Sequence, residues 1–139
     1  MSASLLDTNV LSELTRPQPT ASVVEYLGAI ADGYVSVITL NELLYGAQCV
    51  KDEHQRQRLT SWVRTIEESY AENILPVDGP IAHRAAYLRA REARQGRTIH
   101  FADSLIAATA LVRDLPLATR NTKDFDDLGI DLHNPWIPA

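Results

Sequence analysis

The chain has 139 residues, of which 45% are hydrophobic and 22% charged, and its net charge is −5. This length predicts a single domain over residues 1–139, the composition excludes a disordered chain, and the negative charge argues against a protein that coats nucleic acid. The one cysteine, Cys49, cannot form an internal disulfide, and no apolar run approaches the roughly 20 residues of a membrane span. These features exclude a membrane-spanning protein and favour a reducing cytoplasm.

Short apolar segments alternate with longer amphipathic ones in the first half of the chain. A strand, two helices and a β-branched strand are predicted in turn, at residues 5–6, 10–14, 23–30 and 34–38. Arg16-Pro17-Gln18-Pro19 separates the two helices, because proline ends a helix. A helix that carries Glu42 is predicted to follow the second strand.

The second half continues this alternation. A polar helix, a strand, a basic helix, an apolar helix and a fourth strand are predicted at residues 52–70, 73–77, 81–95, 101–113 and 117–119. Strands separated by helices pair in parallel, and a parallel sheet needs cover on both faces. We therefore predict an α/β protein, a three-layer α/β/α sandwich around a parallel sheet of short strands.

Acidic and amide side chains recur where strands end or helices begin. Asp7 directly follows the first predicted strand, and Asn121 and Asp124 follow the fourth. Glu42 and Asp103 are predicted in the first turns of helices that begin at the same edge of the sheet. Because sites in open parallel sheets lie at the carboxyl ends of the strands, we expect these side chains to converge.

A group of carboxylates without a neighbouring His or Cys suits Mg²⁺ or Mn²⁺ better than Zn²⁺. Two carboxylates about 4 Å apart repel each other by about 4 kcal/mol at an effective dielectric of about 20, and a divalent ion removes that cost. Such an ion also promotes the attack of water on a phosphate. The acids therefore predict a Mg²⁺-type site for phosphoryl transfer.

Each acid also has a structural interpretation. Asp7 could cap the helix that follows it, and Asp103 could interact with the dipole of its own helix. Asp124 lies beside Asp126 and Asp127, as in an exposed acidic turn. Glu42 is harder to explain structurally, because Asn41-Glu42 lies between the largely apolar segments Ile38-Thr39-Leu40 and Leu43-Leu44. The joint pattern favours a shared site over four separate structural roles.

The predicted helix at 81–95 is basic. Arg84, Arg91 and Arg94 are spaced so that they fall on one side of it. They could bind RNA or DNA phosphates, or they could form a solvated helix face. The nearby acids favour nucleic-acid binding.

Four segments carry a family resemblance when taken in order: LLDTNVLSEL at 5–14, TLNELLYG at 39–46, FADSLIAATA at 101–110 and LATRNTKDF at 117–125. They resemble the successive motifs of PIN-domain ribonucleases, in particular the VapC-type toxins of toxin–antitoxin pairs. The resemblance covers nearly the whole chain, including Asn134-Pro135-Trp136. It implies a PIN-like α/β/α fold, a Mg²⁺- or Mn²⁺-dependent endoribonuclease, a homodimer, and inhibition by a small cognate antitoxin that occupies the active-site groove.

The resemblance also implies roles for individual residues. By position, Asp7, Glu42 and Asp103 match the three acids of the family motifs. The fourth acid of the family falls either at Asn121 or at Asp124, and we assign it to Asp124. These four acids are the predicted catalytic and metal-binding residues.

Four polar residues are predicted to support the acids. Thr8 and Thr119 would donate hydrogen bonds to them, Asn9 would hold the turn after Asp7, and Asn121 would orient a water or a phosphate. The alternative is a binding protein that has kept the fold while its acids are idle. The RNA substrate stays open among transfer RNA, a ribosomal loop and messenger RNA.

One apolar stripe has two interpretations. Leu59, Trp62, Val63 and Ile66 recur at helical spacing in the polar segment 52–70. They could contact a second subunit or partner helix, or they could pack into the core of the same chain.

Overall fold

A computed structural model describes residues 2–138 of the chain. Its centre is a parallel sheet of five strands in the order β3-β2-β1-β4-β5. The strands are β1 (Ala3–Leu6), β2 (Asp32–Ser36), β3 (Ile74–Leu75), β4 (Leu117–Ala118) and β5 (Leu132–His133). The central strand β1 places Leu5 between Tyr34 of β2 and Leu117 of β4.

Six helices cover the sheet, and together with it they form the predicted α/β/α sandwich. They are α1 (Thr8–Ser12), α2 (Ala21–Ala29), α3 (Val37–Gln48), α4 (Glu53–Ser69), α5 (Gly79–Arg94) and α6 (Phe101–Val112). Short 3₁₀ turns occur at Glu13–Thr15, Ala71–Asn73 and Thr122–Phe125. None of the helices in the described chain combines the length and apolar character needed to cross a membrane.

The core lies in two layers, one on each face of the sheet. Leu5 and Leu6 are both fully buried but belong to different layers, because successive side chains of a strand point to opposite faces. The layer around Leu5 is built from α5 and α6, and the layer around Leu6 from α1 to α4. The sheet therefore separates two groups of helices, one packed on each face.

The second strand is shorter than the sequence predicts. It ends at Ser36 rather than at residue 38, and Val37 and Ile38 form the first turn of α3. The hydroxyl of Ser36 accepts a hydrogen bond from the backbone N–H of Ile38 at 3.0 Å and so caps the helix. This cap therefore favours a helical start at Val37, although the β-branched residues of the segment favour a strand.

Other element bounds also differ from the prediction. The first helix starts at Thr8 rather than at residue 10, because Asp7 caps it, and it gives way to the 3₁₀ turn at Glu13–Thr15. The third strand contains two residues, and the fifth strand, β5, was missed. A two-residue strand has no periodicity of its own, so its pairing depends on the rest of the sheet.

The apolar stripe of α4 packs into the core of its own chain. Val63 and Ile66 are buried in the layer around Leu6, and Leu59 and Trp62 pack against that layer. This arrangement supports the core interpretation of the stripe.

Candidate active site

Asp7 lies at the end of the central strand and is almost completely buried, with 5% of its surface exposed. Its Oδ1 accepts a hydrogen bond from Thr8 N at 2.8 Å, and its Oδ2 accepts one from Thr119 Oγ1 at 2.8 Å. Burial raises the pKa of Asp7 above 3.8, and the charge of Glu42 adds to this effect, while the hydrogen bonds oppose it. Asp7 therefore caps α1 and also lies near the charge of Glu42, and its predicted catalytic and metal-binding role stays a prediction.

Glu42 is linked to Asp7 through one intervening residue, Thr8, whose backbone N–H donates to Asp7 and whose hydroxyl donates to Glu42. The hydroxyl of Thr8 donates to Glu42 Oε1 at 2.6 Å and lies 3.4 Å from the hydroxyl of Thr39. Glu42 is the sixth residue of α3, so it lies in the second helical turn and not in the first turn as predicted. Glu42 is therefore farther along the chain from the end of β2 than predicted. Its hydrogen bond to Thr8 holds its carboxylate near the end of β1.

A polar network joins the loop after β4 to Asp7. Asn9 Nδ2 lies 3.2 Å from Asp7 Oδ2 and 3.4 Å from Thr119 Oγ1. Asn9 Oδ1 accepts a hydrogen bond from Arg120 N at 3.0 Å, and Thr119 Oγ1 accepts one from Asn121 N at 3.0 Å. Thr8, Asn9 and Thr119 thus have the hydrogen-bonded positions predicted for supporting residues.

Asp103 lies in the first turn of α6, as predicted, and it is partly buried. Burial and, in decreasing order, the charges of Asp7, Asp124 and Glu42 together raise its pKa from 3.8 to about 6, while the charge of His100 acts in the opposite sense. Asp7, Glu42 and Asp124 therefore all lie within electrostatic reach of Asp103.

The fourth acid, Asp124, is carried by the 3₁₀ turn Thr122–Phe125. Phe125 anchors this turn in the core with only 1% of its surface exposed, while Asp124 itself is exposed. Asn121 precedes the turn, and its carbonyl accepts a hydrogen bond from Asp124 N at 3.0 Å. Asp124, rather than Asn121, contributes charge to the surroundings of Asp103.

The donor chemistry of this edge fits a hard divalent cation. All four acids offer oxygen, and their mutual repulsion, visible in the raised pKa of Asp103, is the kind that a divalent cation relieves. In residues 2–138, however, no three His, Cys, Asp or Glu side chains are placed to enclose an ion. The acids share one edge without being drawn together around a point.

The three arginines predicted to bind RNA all lie on α5. Arg84 and Arg94 are exposed, whereas Arg91 is half-buried and donates from Nη2 to the carbonyl of Asp127 at 3.0 Å. Arg91 thereby connects α5 to the loop after the 3₁₀ turn. RNA binding by these three residues stays a prediction.

Comparison with protein families gives a match to the PIN domain over residues 4–130. The chain belongs to the PIN-domain family. Toxin FitB of Neisseria gonorrhoeae is 38% identical to this PIN-domain chain, over 95% of it and 97% of the relative. VapC ribonuclease Y4jK of Sinorhizobium fredii is 35% identical, over 97% of this chain and 99% of the relative.

Solved structures show the same fold. A crystal structure of FitAcB from Neisseria gonorrhoeae superposes with a TM-score of 0.88 at 38% identity, covering 95% of this chain and 97% of the other. A toxin–antitoxin complex from Klebsiella pneumoniae gives a TM-score of 0.70 at 30% identity, covering 98% and 99%. The predicted class, a PIN-domain ribonuclease toxin of the VapC type, is confirmed.

Proposed function

We propose that this chain hydrolyses RNA phosphodiesters with Mg²⁺ or Mn²⁺ held by Asp7, Glu42, Asp103 and Asp124. The observation that carries this proposal is the raised pKa of Asp103, which reflects the charges of the other three acids as well as burial. When bound, the ion would offset this repulsion, activate a water and stabilise the charge that develops on the phosphate.

The chain's own residues prepare the site by fixing the acids. Asp7 has both carboxylate oxygens engaged by hydrogen bonds, so burial and the cap hold it in one orientation. Thr8 restrains Glu42, and the rigid first turn of α6 presents Asp103. Because the acids are not drawn together around a point, a bound ion would have to bring them closer, and the hydrogen bonds to Asp7 and Glu42 would limit how far these two side chains move.

We assign the fourth metal-binding position to Asp124 and a substrate-orienting role to Asn121. Asp124 is charged and influences Asp103, whereas the amide of Asn121 is neutral. The side chain of Asn121 is exposed at the start of the 3₁₀ turn, where it can donate to a phosphate oxygen or a water.

We also propose that the chain forms a homodimer and is inhibited by a small cognate antitoxin. The complex from Klebsiella pneumoniae, which shares 30% identity, is a toxin–antitoxin complex. The exposed face of α3 carries Val37, Leu44 and Tyr45 at spacings of seven and eight residues, and Leu44 and Tyr45 are 44% and 71% exposed. An apolar stripe of this kind is typical of a contact surface between proteins.

The test is cleavage of structured RNAs by the purified protein, freed of any bound partner. We expect discrete cleavage in Mn²⁺, none in EDTA, and none with Asp103→Asn in Mn²⁺. Asp131→Asn removes an exposed acid just before β5, at the opposite edge of the sheet, and should cleave normally.

The competing function is RNA or protein binding without catalysis. It would be supported by intact RNA in every condition together with a thermal unfolding temperature that Mn²⁺ does not raise, because a ligand that binds only the folded state must stabilise it.

A further inference from the structure

We propose that Arg120 binds the RNA phosphate next to the bond that is cleaved. This inference rests on the proposed function and identifies a substrate contact that lies outside the four acids. Three properties of Arg120 support it: its place beside Asp7, the orientation of its guanidinium, and the lack of a protein partner for that charge.

Arg120 is fixed at the edge of the acid cluster through its backbone. Its N–H donates to Asn9 Oδ1 at 3.0 Å, and the amide of Asn9 in turn lies 3.2 Å from Asp7 Oδ2. The preceding residue, Thr119, donates directly to the same Asp7 oxygen at 2.8 Å. The chain at Arg120 is therefore two hydrogen bonds away from the central carboxylate of the site.

An aromatic ring orients the guanidinium. The Cζ atom of Arg120 lies 5.1 Å from the ring centroid of Trp136, within the range of a cation–π interaction. Trp136 packs against the core layer around Leu6, and its backbone N–H donates to Asn134 Oδ1 at 2.9 Å. Because this platform is anchored, Arg120 loses less conformational freedom on binding than an unsupported surface arginine would.

The guanidinium of Arg120 has no polar partner among the described residues 2–138. Its guanidinium makes no hydrogen bond and no ion pair there, whereas those of Arg91, Arg97 and Arg113 all contact carboxylates or carbonyls. The charge of Arg120 is the smallest of the causes that lower the pKa of Glu13, and the carboxylate of Glu13 accepts hydrogen bonds from Thr20 N and Thr20 Oγ1 rather than from Arg120. The guanidinium is therefore available to an anion from outside the protein.

RNA phosphate is the anion that best fits this position. The acids of the site repel the backbone of RNA, so a substrate must gain attraction from a cation close to them. Guanidinium groups match the two oxygens of a phosphate in a paired geometry, which an ammonium cannot do. A stacked and otherwise unpaired arginine at this edge provides that contact without neutralising the acids.

The test compares RNA binding and cleavage by the wild type with Arg120→Ala, Arg120→Lys and Trp136→Leu. Binding is measured by fluorescence anisotropy with a labelled structured RNA in Ca²⁺ over a range of salt, and cleavage is followed in Mn²⁺. Arg58→Ala is the matched control, because Arg58 is exposed on α4 and removing it changes the net charge equally.

We expect Arg120→Ala to weaken RNA binding and raise KM by about tenfold, to change kcat much less, and to reduce the salt slope of binding by about one. Arg120→Lys should keep the salt slope while recovering only part of the affinity. Trp136→Leu should weaken binding in the same direction, and Arg58→Ala should resemble the wild type.

The outcomes separate this inference from the proposed function. If the wild type cleaves RNA and Arg120→Ala matches Arg58→Ala in KM and salt slope, the contact is refuted while the ribonuclease function stands. The contact would also be refuted if Arg120→Ala lowers the unfolding temperature but leaves the salt slope of RNA binding unchanged. Arg120 would then serve only to hold Trp136. If the wild type binds RNA without cleaving it, the ribonuclease function fails, and the Arg120→Ala affinity still decides the contact.

Discussion

Asp103 shows how the environment of one residue couples stability to function. Its carboxyl group lies in the first turn of α6, where partial burial and three neighbouring acids raise its pKa to about 6. A carboxylate that is costly to ionise in the folded chain is a poor choice for stability alone. Under the proposed function, a divalent cation bound beside Asp103 would relieve this cost.

Replacing Asp103 with asparagine should stabilise the ion-free protein at neutral pH. The folded pKa is raised from 3.8 to about 6, so ionisation of Asp103 lowers the free energy of unfolding as pH rises through this window, and the full cost is present above it. We expect Asp103→Asn to gain about 1 kcal/mol at neutral pH after allowing for solvent screening. Urea unfolding in EDTA, repeated near pH 4, checks this, because the gain should vanish there. A gain that persists near pH 4 would contradict it.

Thr119 should matter for both folding and metal affinity. Thr119→Val removes the donor to Asp7 Oδ2 and the acceptor for Asn121 N while keeping the shape of the side chain. We expect a loss of about 1–3 kcal/mol in the free energy of unfolding and about tenfold weaker Mn²⁺ binding. Urea unfolding and calorimetric titration measure the two effects.

Thr109→Val is the matched control for this variant. Thr109 is also fully buried, but its hydroxyl donates only to the carbonyl of Leu105 inside α6. It should lose stability and keep the Mn²⁺ affinity of the wild type. Equal Mn²⁺ affinities for the two variants would show that Thr119 does not support the ion site.

Sequence reasoning worked best for residues whose position follows from a strand end or a helix start. Asp7 and Asp103 lie where the motifs predict them. Glu42 lies one turn later than predicted, because the cap at Ser36 shortened the strand and moved the start of the helix. Arg120 was not singled out, since its interest depends on a contact with Trp136, sixteen positions along the chain, that no local pattern reveals.

At the scale of elements, the loop between α5 and α6 positions the helix that carries Asp103. Arg97 Nε and Nη2 donate to the two carboxylate oxygens of Glu92, each at 3.0 Å, and Arg97 N donates to the carbonyl of Glu92 at 2.9 Å. One residue thus closes the end of α5 through its side chain and its backbone. The loop then leads within a few residues to α6.

Breaking this ion pair should loosen the loop. The hydrogen bond from Arg97 holds the pKa of Glu92 below 4.5, so the stability it provides is present above that value and is lost on acidification through the lower, folded pKa. We expect Glu92→Gln to unfold at lower urea concentration at neutral pH and to exchange amide hydrogens faster at residues 97–103. Glu68→Gln, on the exposed side of α4, is the control. Unchanged exchange in Glu92→Gln would show that the pair does not hold the loop.

The element order could be predicted because helices and strands here alternate with clear apolar periodicity. The bounds of the short strands could not, because β3, β4 and β5 each contain two residues whose hydrogen bonds come from neighbouring strands. β5 in particular has one partly buried and one exposed residue, so its sequence carries no apolar signal. Strands this short are stable only because they hydrogen-bond to neighbouring strands of the sheet.

At the scale of the whole molecule, the exposed apolar face of α3 bears on the proposed homodimer. Tyr45 and its neighbour Leu44 are both large apolar side chains that remain exposed in the single chain. We expect Tyr45→Glu to shift the protein toward a monomer in light scattering, because it places a charge in an apolar contact. Val24→Glu, which alters an exposed apolar residue of α2, should keep the wild-type mass. A monomeric wild type, or a dimer that tolerates Tyr45→Glu, would exclude this face.

We propose above that the acids at the carboxyl edge of the sheet hold a catalytic cation. Anomalous diffraction from crystals soaked in Mn²⁺ tests it most directly, since the ion is located independently of activity. We predict an anomalous peak contacted by carboxylate oxygens of Asp7 and Asp103, and its loss in Asp103→Asn. A well-ordered site without a peak, or a peak elsewhere in a crystal of protein that cleaves RNA, would contradict the account.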